Sequence, residues 1–212
     1  MATSSRTDPT RRRRMPRADR ERQMMSVAEQ VFAERGYVAA SMDEIAERVG
    51  VSKPMLYEYF GSKEGLLVAC IRQARAELLR VTSQAAVDSG NPEDMLRNGL
   101  IAYFQFIKDH SRSWALLCSE AAVVGPSAAE EIEAVRQQQT DLISGTMALY
   151  VPQPPLDLTS AAEVIVGGCE RLALWCQRHP ETSPADAAEL VMQLIWFGMR
   201  SLLTEQPSPG QG

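Results

Sequence analysis

Apolar residues recur every three or four positions along nearly the whole chain, and almost no segment alternates with the period of a strand. That pattern predicts helices throughout. A first helix from about Asp19 turns Met25, Ala28, Val31 and Phe32 to one side and stops at Gly36. "SMDE" at 41–44 fits a capping box, with the Ser41 hydroxyl accepting from the Glu44 amide and the Glu44 carboxylate reaching back. The second helix carries Met42, Ile45, Ala46 and Val49 on one face, and Gly50 supplies a left-handed end. Ser52 caps a third helix with Pro54 in its first turn, ending at Gly61. So short a helix needs packing to persist. Ser62 caps a long fourth helix reaching about Val87.

The rest is equally punctuated. Asn91 and Pro92 open a helix towards His110, and "SWALLCSEAAVV" forms a shorter one. Ser127 and Glu130 make a second capping box for a helix to about Tyr150. After the loop "VPQPPLDL", Thr159 opens a helix to about Arg178, and Ser183 with Pro184 opens the last, to near Leu203. The expectation is an all-α chain of about nine helices.

The third helix carries more than its packing requires. Leu56 and Phe60, at i and i+4, share the inward side, while Pro54, Met55 and Glu58 point away, Tyr57 and Tyr59 flank, and Lys53 marks the exposed N-terminal end. A helix, a turn at Gly50 and a short helix with a polar outer face make a helix-turn-helix pattern. In such a unit the N-terminal residues meet base edges in the major groove and the flanks meet phosphates. Lys53 can donate to guanine or phosphate, Met55 can pack on a thymine methyl, and the tyrosine hydroxyls can donate to phosphates. The plainer alternative is a three-helix subdomain with part-buried tyrosines and solvated lysines.

Residues 20–67, with "AERGYVAASMDEIAERVGVSKPMLYEYFGSKEGLL", resemble the N-terminal DNA-binding domain of the tetracycline-repressor (TetR) family of transcriptional regulators. The resemblance implies an all-α homodimer: a three-helix DNA-binding domain over 18–64 and a helical ligand-binding and dimerisation domain over 65–204. A small-molecule effector would release the dimer from a palindromic double-stranded operator, as a repressor. By position the family's DNA contacts fall on Ser41, Met42, Ser52, Lys53, Pro54, Met55, Tyr57, Tyr59 and Lys63. Helix N-terminal amides near Ser41 and Ser62 suit phosphate oxygens independently of that resemblance. Two residues depart from the pattern: Met55 stands where small hydroxyl residues are common, and Glu58 puts an acid on the outward face.

Charge changes the picture locally. The net charge is −5, yet residues 1–65 hold 12 Lys+Arg against 10 Asp+Glu, so the acidity lies in the remainder. Local potential decides whether a phosphate backbone is attracted. Residues 1–17 and 205–212 are expected to be disordered. The "RRRR" run at 11–14 is either a solvated arm or an extension that follows the DNA backbone or enters the minor groove.

Other chemistry is sparse. Cys70, Cys118, Cys169 and Cys176 lack metal-ligand spacing, His110 and His179 are isolated, and no nucleophile–base pair or phosphate-cradling glycine motif occurs. No enzyme, metal or cofactor is expected. Neither a secretory signal nor a membrane span is apparent, and the expected location is cytoplasmic.

Beyond Leu67 the pattern is less specific. Ile165, Gly168 and Leu172 on one helix, with Leu190, Leu194, Gly198 and Leu202 on the last, are candidates for a dimer four-helix bundle. Tyr103, Phe104, Phe106, Trp114, Leu117, Cys118, Met147, Tyr150 and Trp175 are candidates to line a pocket for an apolar or aromatic effector. Glu120, His110 or Gln139 would serve as its polar anchors. Each of these residues suits a plain core better than a ligand contact.

Overall fold

The computed structural model describes residues 15–87, 89–111, 114, 125–148 and 157–196. These residues form eight helices and no strand: α1 (Arg17–Ala39), α2 (Met42–Val49), α3 (Lys53–Phe60), α4 (Lys63–Val87), α5 (Pro92–Asp109), α6 (Pro126–Ala148), α7 (Leu158–Cys176) and α8 (Pro184–Val191), the last continuing as a π turn, Met192–Trp196. The segment expected as a further helix after His110 lies outside the described residues apart from Trp114.

The first four helices build a small head. α1 packs across α2 and α4, and α3 is wedged between its chain neighbours. Met24, Phe32, Ile45, Leu56 and Leu66 are fully buried there. Burying a leucine such as Leu56 contributes about 1.5–3 kcal/mol, which compensates for α3's inability to stand alone. Gly36 breaks α1 with φ 73, and Gly50 ends α2 in the left-handed region at φ 78, as its place after Val49 predicts. Gly65 is constrained differently, because a Cβ there would run into the Phe60 carbonyl oxygen. The turn from α3 into α4 closes that tightly.

α4 leaves the head as one helix of 25 residues and becomes a wall of the body. There it packs on α5 and α6, α6 packs on α7, and α5 packs on α8. Arg136 Nε donates to Glu170 at 2.9 Å and the Thr140 hydroxyl to Glu163 at 2.9 Å, pinning α6 to α7. Arg97 pairs with Glu189 and so ties α5 to α8.

Several helix ends differ from the sequence reading. Ser41 caps α2 by accepting from the Glu44 amide at 3.1 Å, but the Glu44 carboxylate does not reach back. It accepts instead from Arg48 at 2.6 Å and Arg35 at 3.4 Å, since charge-assisted partners outbid a neutral amide. Ser127 and Glu130 form no capping box: Pro126 takes the first helical position after Gly125, leaving Ser127 inside the first turn. Asp157, not Thr159, caps α7, its carboxylate accepting from the Thr159 amide at 3.2 Å and the Ser160 amide at 3.0 Å. Ser183 and Asp186 do form the full reciprocal box at α8.

Candidate nucleic-acid interface

α3 is held by its inner side and displays its outer one. Leu56 is the anchor, fully buried, with Phe60 half-buried beside it. Ser52, Lys53, Pro54, Tyr57 and Glu58 are exposed, giving a contiguous polar and aromatic face. Met55 corrects the sequence reading: it is half-buried against the head core rather than pointing away. Met55 and Tyr59 stand one turn apart and lean the same way, and Arg17 covers the Tyr59 ring at 4.7 Å. Ser52 occupies the N-cap position of α3 but makes no side-chain cap hydrogen bond.

Lys53 is already engaged. Its ammonium lies 2.8 Å from a carboxylate oxygen of Asp43, in the first turn of α2, and that hydrogen bond and charge raise the lysine's pKa. Both side chains are exposed, so the pair is weak and exchangeable. Any other acceptor approaching the Lys53 ammonium has to compete with Asp43.

Lys63 occupies a different environment from the one expected for a point charge beside a helix N-terminus. Its ammonium donates to the carbonyls of Tyr37 at 2.8 Å, Ala40 at 3.0 Å and Val38 at 3.3 Å, and lies 4.4 Å from the centre of the Tyr37 ring. An ammonium has three protons, and three carbonyls surround this one. Lys63 therefore ties the start of α4 to the end of α1 and the approach to α2. Tyr37 itself is held neutral, its pKa raised by burial and by the charge of Glu64. Met42 is likewise not a displayed side chain: it is buried in the head core. The Ser62 hydroxyl accepts from the Gly65 amide at 2.8 Å and so caps α4, as expected.

In the body, an apolar cavity of about 100 Å³ opens among α4, α5, α6 and α7. Of the residues expected to line a pocket, Tyr103, Met147 and Gln139 meet there. Phe104 lies on the other side of α5, in a larger crevice of about 740 Å³ that also touches Phe32 and Arg35 of the head. Phe106, His110 and Trp114 gather at a third, minor cleft, where Phe106 and His110 stack at 4.2 Å. Trp175 is exposed and stacks on His179 at 3.8 Å. Leu117, Cys118, Glu120 and Tyr150 lie outside the described residues. Met95, Leu96, Leu142, Ile143 and Cys169 line the cavity without having been singled out. Their signal was present, since Leu96, Leu100 and Tyr103 form one helical stripe and Gln139, Ile143 and Met147 another.

The dimer candidates divide. Ile165 is buried and lines the cavity, and Leu172 packs on the protomer's own core, because the inward stripe of α7 runs through Ala162, Ile165, Cys169 and Ala173. Gly168 is exposed, as are Val164 at 72%, Leu190 at 44% and Leu194 at 73%. Gly198 and Leu202 lie outside the described residues.

Two family models match successive parts of this chain. The model for bacterial regulatory proteins of the tetR family covers residues 24–70, and the tetracyclin repressor-like C-terminal domain covers residues 92–198. The chain is 31% identical to the HTH-type transcriptional activator FasR of Mycolicibacterium smegmatis, over 88% of this chain and 85% of FasR. The crystal structure of a TetR-like transcriptional regulator from Rhodococcus sp. RHA1 superposes with a TM-score of 0.73 at 32% identity, covering 88% of this chain and 99% of that one. The transcriptional regulator FadR from Bacillus subtilis, crystallised with stearoyl-CoA, superposes with a TM-score of 0.74 over 82% of this chain and 96% of FadR; at 17% identity it shares the fold alone. The two family models and the FasR relative make this all-α molecule, with its N-terminal helix-turn-helix head and helical body, a DNA-binding transcriptional regulator. The chain belongs to the TetR family.

Proposed function

We propose that this regulator binds a palindromic operator as a homodimer and is released from it by a small apolar effector held in the cavity among α4, α5, α6 and α7. The observation that carries the reading is the continuity of α4. This helix starts at Lys63, clamped on the α1–α2 connection, and ends at Val87, passing Thr82 and Ala86 on the cavity wall. At 1.5 Å per residue it spans about 37 Å without a break. A ligand that favours one tilt of this rod changes where the head stands. Operator affinity then falls by the ligand's differential affinity for the two tilts.

Dimerisation is assigned to the outer face of α7 and α8, where Val164, Gly168 and Trp175 of α7, Leu190 of α8 and Leu194 of the π turn are exposed. Exposed apolar side chains on two neighbouring helices fit a four-helix bundle with the same face of a second copy. Two heads roughly 34–36 Å apart, or a multiple of that, reach successive major grooves. Ser52, Lys53, Pro54 and Tyr57 are assigned to the groove. The outward amides near Ser41, Met42 and Ser62 are assigned to phosphates, with Met55 and Tyr59 on the flank.

Selection of bound sequences from a random duplex pool tests the reading. An enriched palindrome supports it, and an unenriched pool overturns it. The name of the FasR relative favours a second reading of the output, in which the bound dimer activates transcription. Removing the regulator raises expression of the operator-linked gene in the first case and lowers it in the second.

A further inference from the structure

The cavity among α4, α5, α6 and α7 has one polar feature that its apolar walls do not explain. Gln139, on α6, is only 6% exposed and lines the cavity, and its side-chain amide nitrogen has no hydrogen-bond partner among the described residues. Leaving a buried donor unsatisfied costs about 1–3 kcal/mol, so such a group calls for an explanation. Three hydroxyls share the wall, those of Tyr103, Thr82 and Thr146, and the two threonines are satisfied by their own helices. Thr82 donates to the Leu78 carbonyl at 2.8 Å and Thr146 to the Leu142 carbonyl at 2.7 Å, each within its own helix.

The remaining wall is made of side chains such as Met95, Leu96, Leu100, Ile143 and Ile165. No Lys, Arg, His, Asp or Glu lines the cavity among the described residues. A carboxylate or an ammonium buried here would lack a counter-charge, and the cost of burying an unpaired ion far exceeds what the apolar contacts return. A wholly apolar guest would leave Gln139 unsatisfied. A volume of about 100 Å³ matches a guest, or the buried end of one, not much larger than a benzene ring.

We propose that this cavity takes a small, neutral, largely apolar ligand carrying a single oxygen acceptor, such as a ketone or ester carbonyl, which accepts a hydrogen bond from Gln139 Nε2. This deepens the effector reading above and rests on it for its regulatory meaning, but it concerns binding alone. The acceptor makes Gln139 a specificity determinant: it selects among guests of equal bulk by whether they carry oxygen, and it rejects the ionised ones.

The test is calorimetric titration of the full chain, without DNA, against three guests of similar size: 2-heptanone, octane and heptanoate at pH 7. Relative to octane, 2-heptanone is expected to lose about five- to tenfold in affinity when Gln139 is replaced by Met, the worth of one buried hydrogen bond, because that ratio cancels the cost of dehydrating the ketone. Heptanoate is expected to bind more weakly than either. Gln139→Met keeps the bulk and removes the donor, and it should leave octane affinity within about twofold. Gln139→Asn, which retains a shorter amide, controls for folding and should keep part of the ketone's affinity. Tightest binding of heptanoate, or an unchanged ketone-to-octane ratio in Gln139→Met, would each overturn the proposal. Operator selection is unaffected by any of these results, so failure here is distinguishable from failure of the DNA-binding reading.

Discussion

The head and the body solve opposite problems with the same element. In the head Leu56, Phe32, Ile45 and Leu66 close a small core completely, and the outer face of α3 is left to Ser52, Lys53, Pro54, Tyr57 and Glu58. In the body, four helices stop short of closing and leave an apolar cavity around a buried amide. On the proposed function, a head that meets an unvarying phosphate lattice benefits from rigidity, whereas a body that takes a guest needs space. Lys63 in the head is fixed by three carbonyls, while Arg136 with Glu170 ties two of the body's helices.

The contrast breaks most sharply at the anchor. Leu56→Ala should cost about 2–5 kcal/mol in chemical denaturation and eliminate operator binding, because α3 has no other fully buried residue. The body's calorimetric response to a cavity guest should survive. Lys63→Met comes next: three carbonyls, two of them part-buried and that of Val38 exposed, lose their donor, with an expected loss of about 1–3 kcal/mol and weaker binding to every operator sequence. A Lys63→Met variant with unchanged thermal stability would return Lys63 to the role of a plain phosphate contact.

How much of this was legible in the sequence also divides between head and body. The head is legible because each boundary is written in residues with one physical job: Ser41 and Ser62 as caps, Gly50 as a left-handed stop, Leu56 as the inward member of a short helix. What escaped there depends on tertiary contact. Lys63 reads as a displayed charge until α1 is folded beside it, Met42 reads as a displayed side chain until the core closes over it, and Gly65 reads as an ordinary helical glycine until the Phe60 carbonyl faces it. In the body, periodicity gives stripes but not their partners. It could not separate Tyr103, which lines the cavity, from Phe104 next to it, which does not, nor Ile165, turned inward, from Val164, turned out.

Two smaller effects sharpen the comparison. Asp43→Asn removes the carboxylate that competes for Lys53 and repels phosphate. Operator affinity should rise by up to about fivefold, the worth of one exposed pair, without a change in thermal midpoint. The smallest effect concerns the body's caps. Asp157 is held below its ordinary value of 3.8 by the Ser160 and Thr159 amides, and Asp186 by the Ser183 hydroxyl and amide. A carboxyl with a depressed folded pKa contributes stability that is fully present above its unfolded value and is lost as pH falls through the folded one. The thermal midpoint should therefore begin to fall below about pH 4. In the double variant Asp157→Asn, Asp186→Asn the decline should be shallower.

That the outer face of α3 reads the duplex is tested most directly by repeating the operator selection with Lys53→Ala and Tyr57→Ala and titrating each on the enriched palindrome against salt. Lys53→Ala should change the preferred base at one position per half-site. Tyr57→Ala should weaken binding on all sequences alike, and both variants should keep the native thermal midpoint. Two variants that enrich the same palindrome with the affinity of the unaltered chain would contradict the assignment of α3 to the groove.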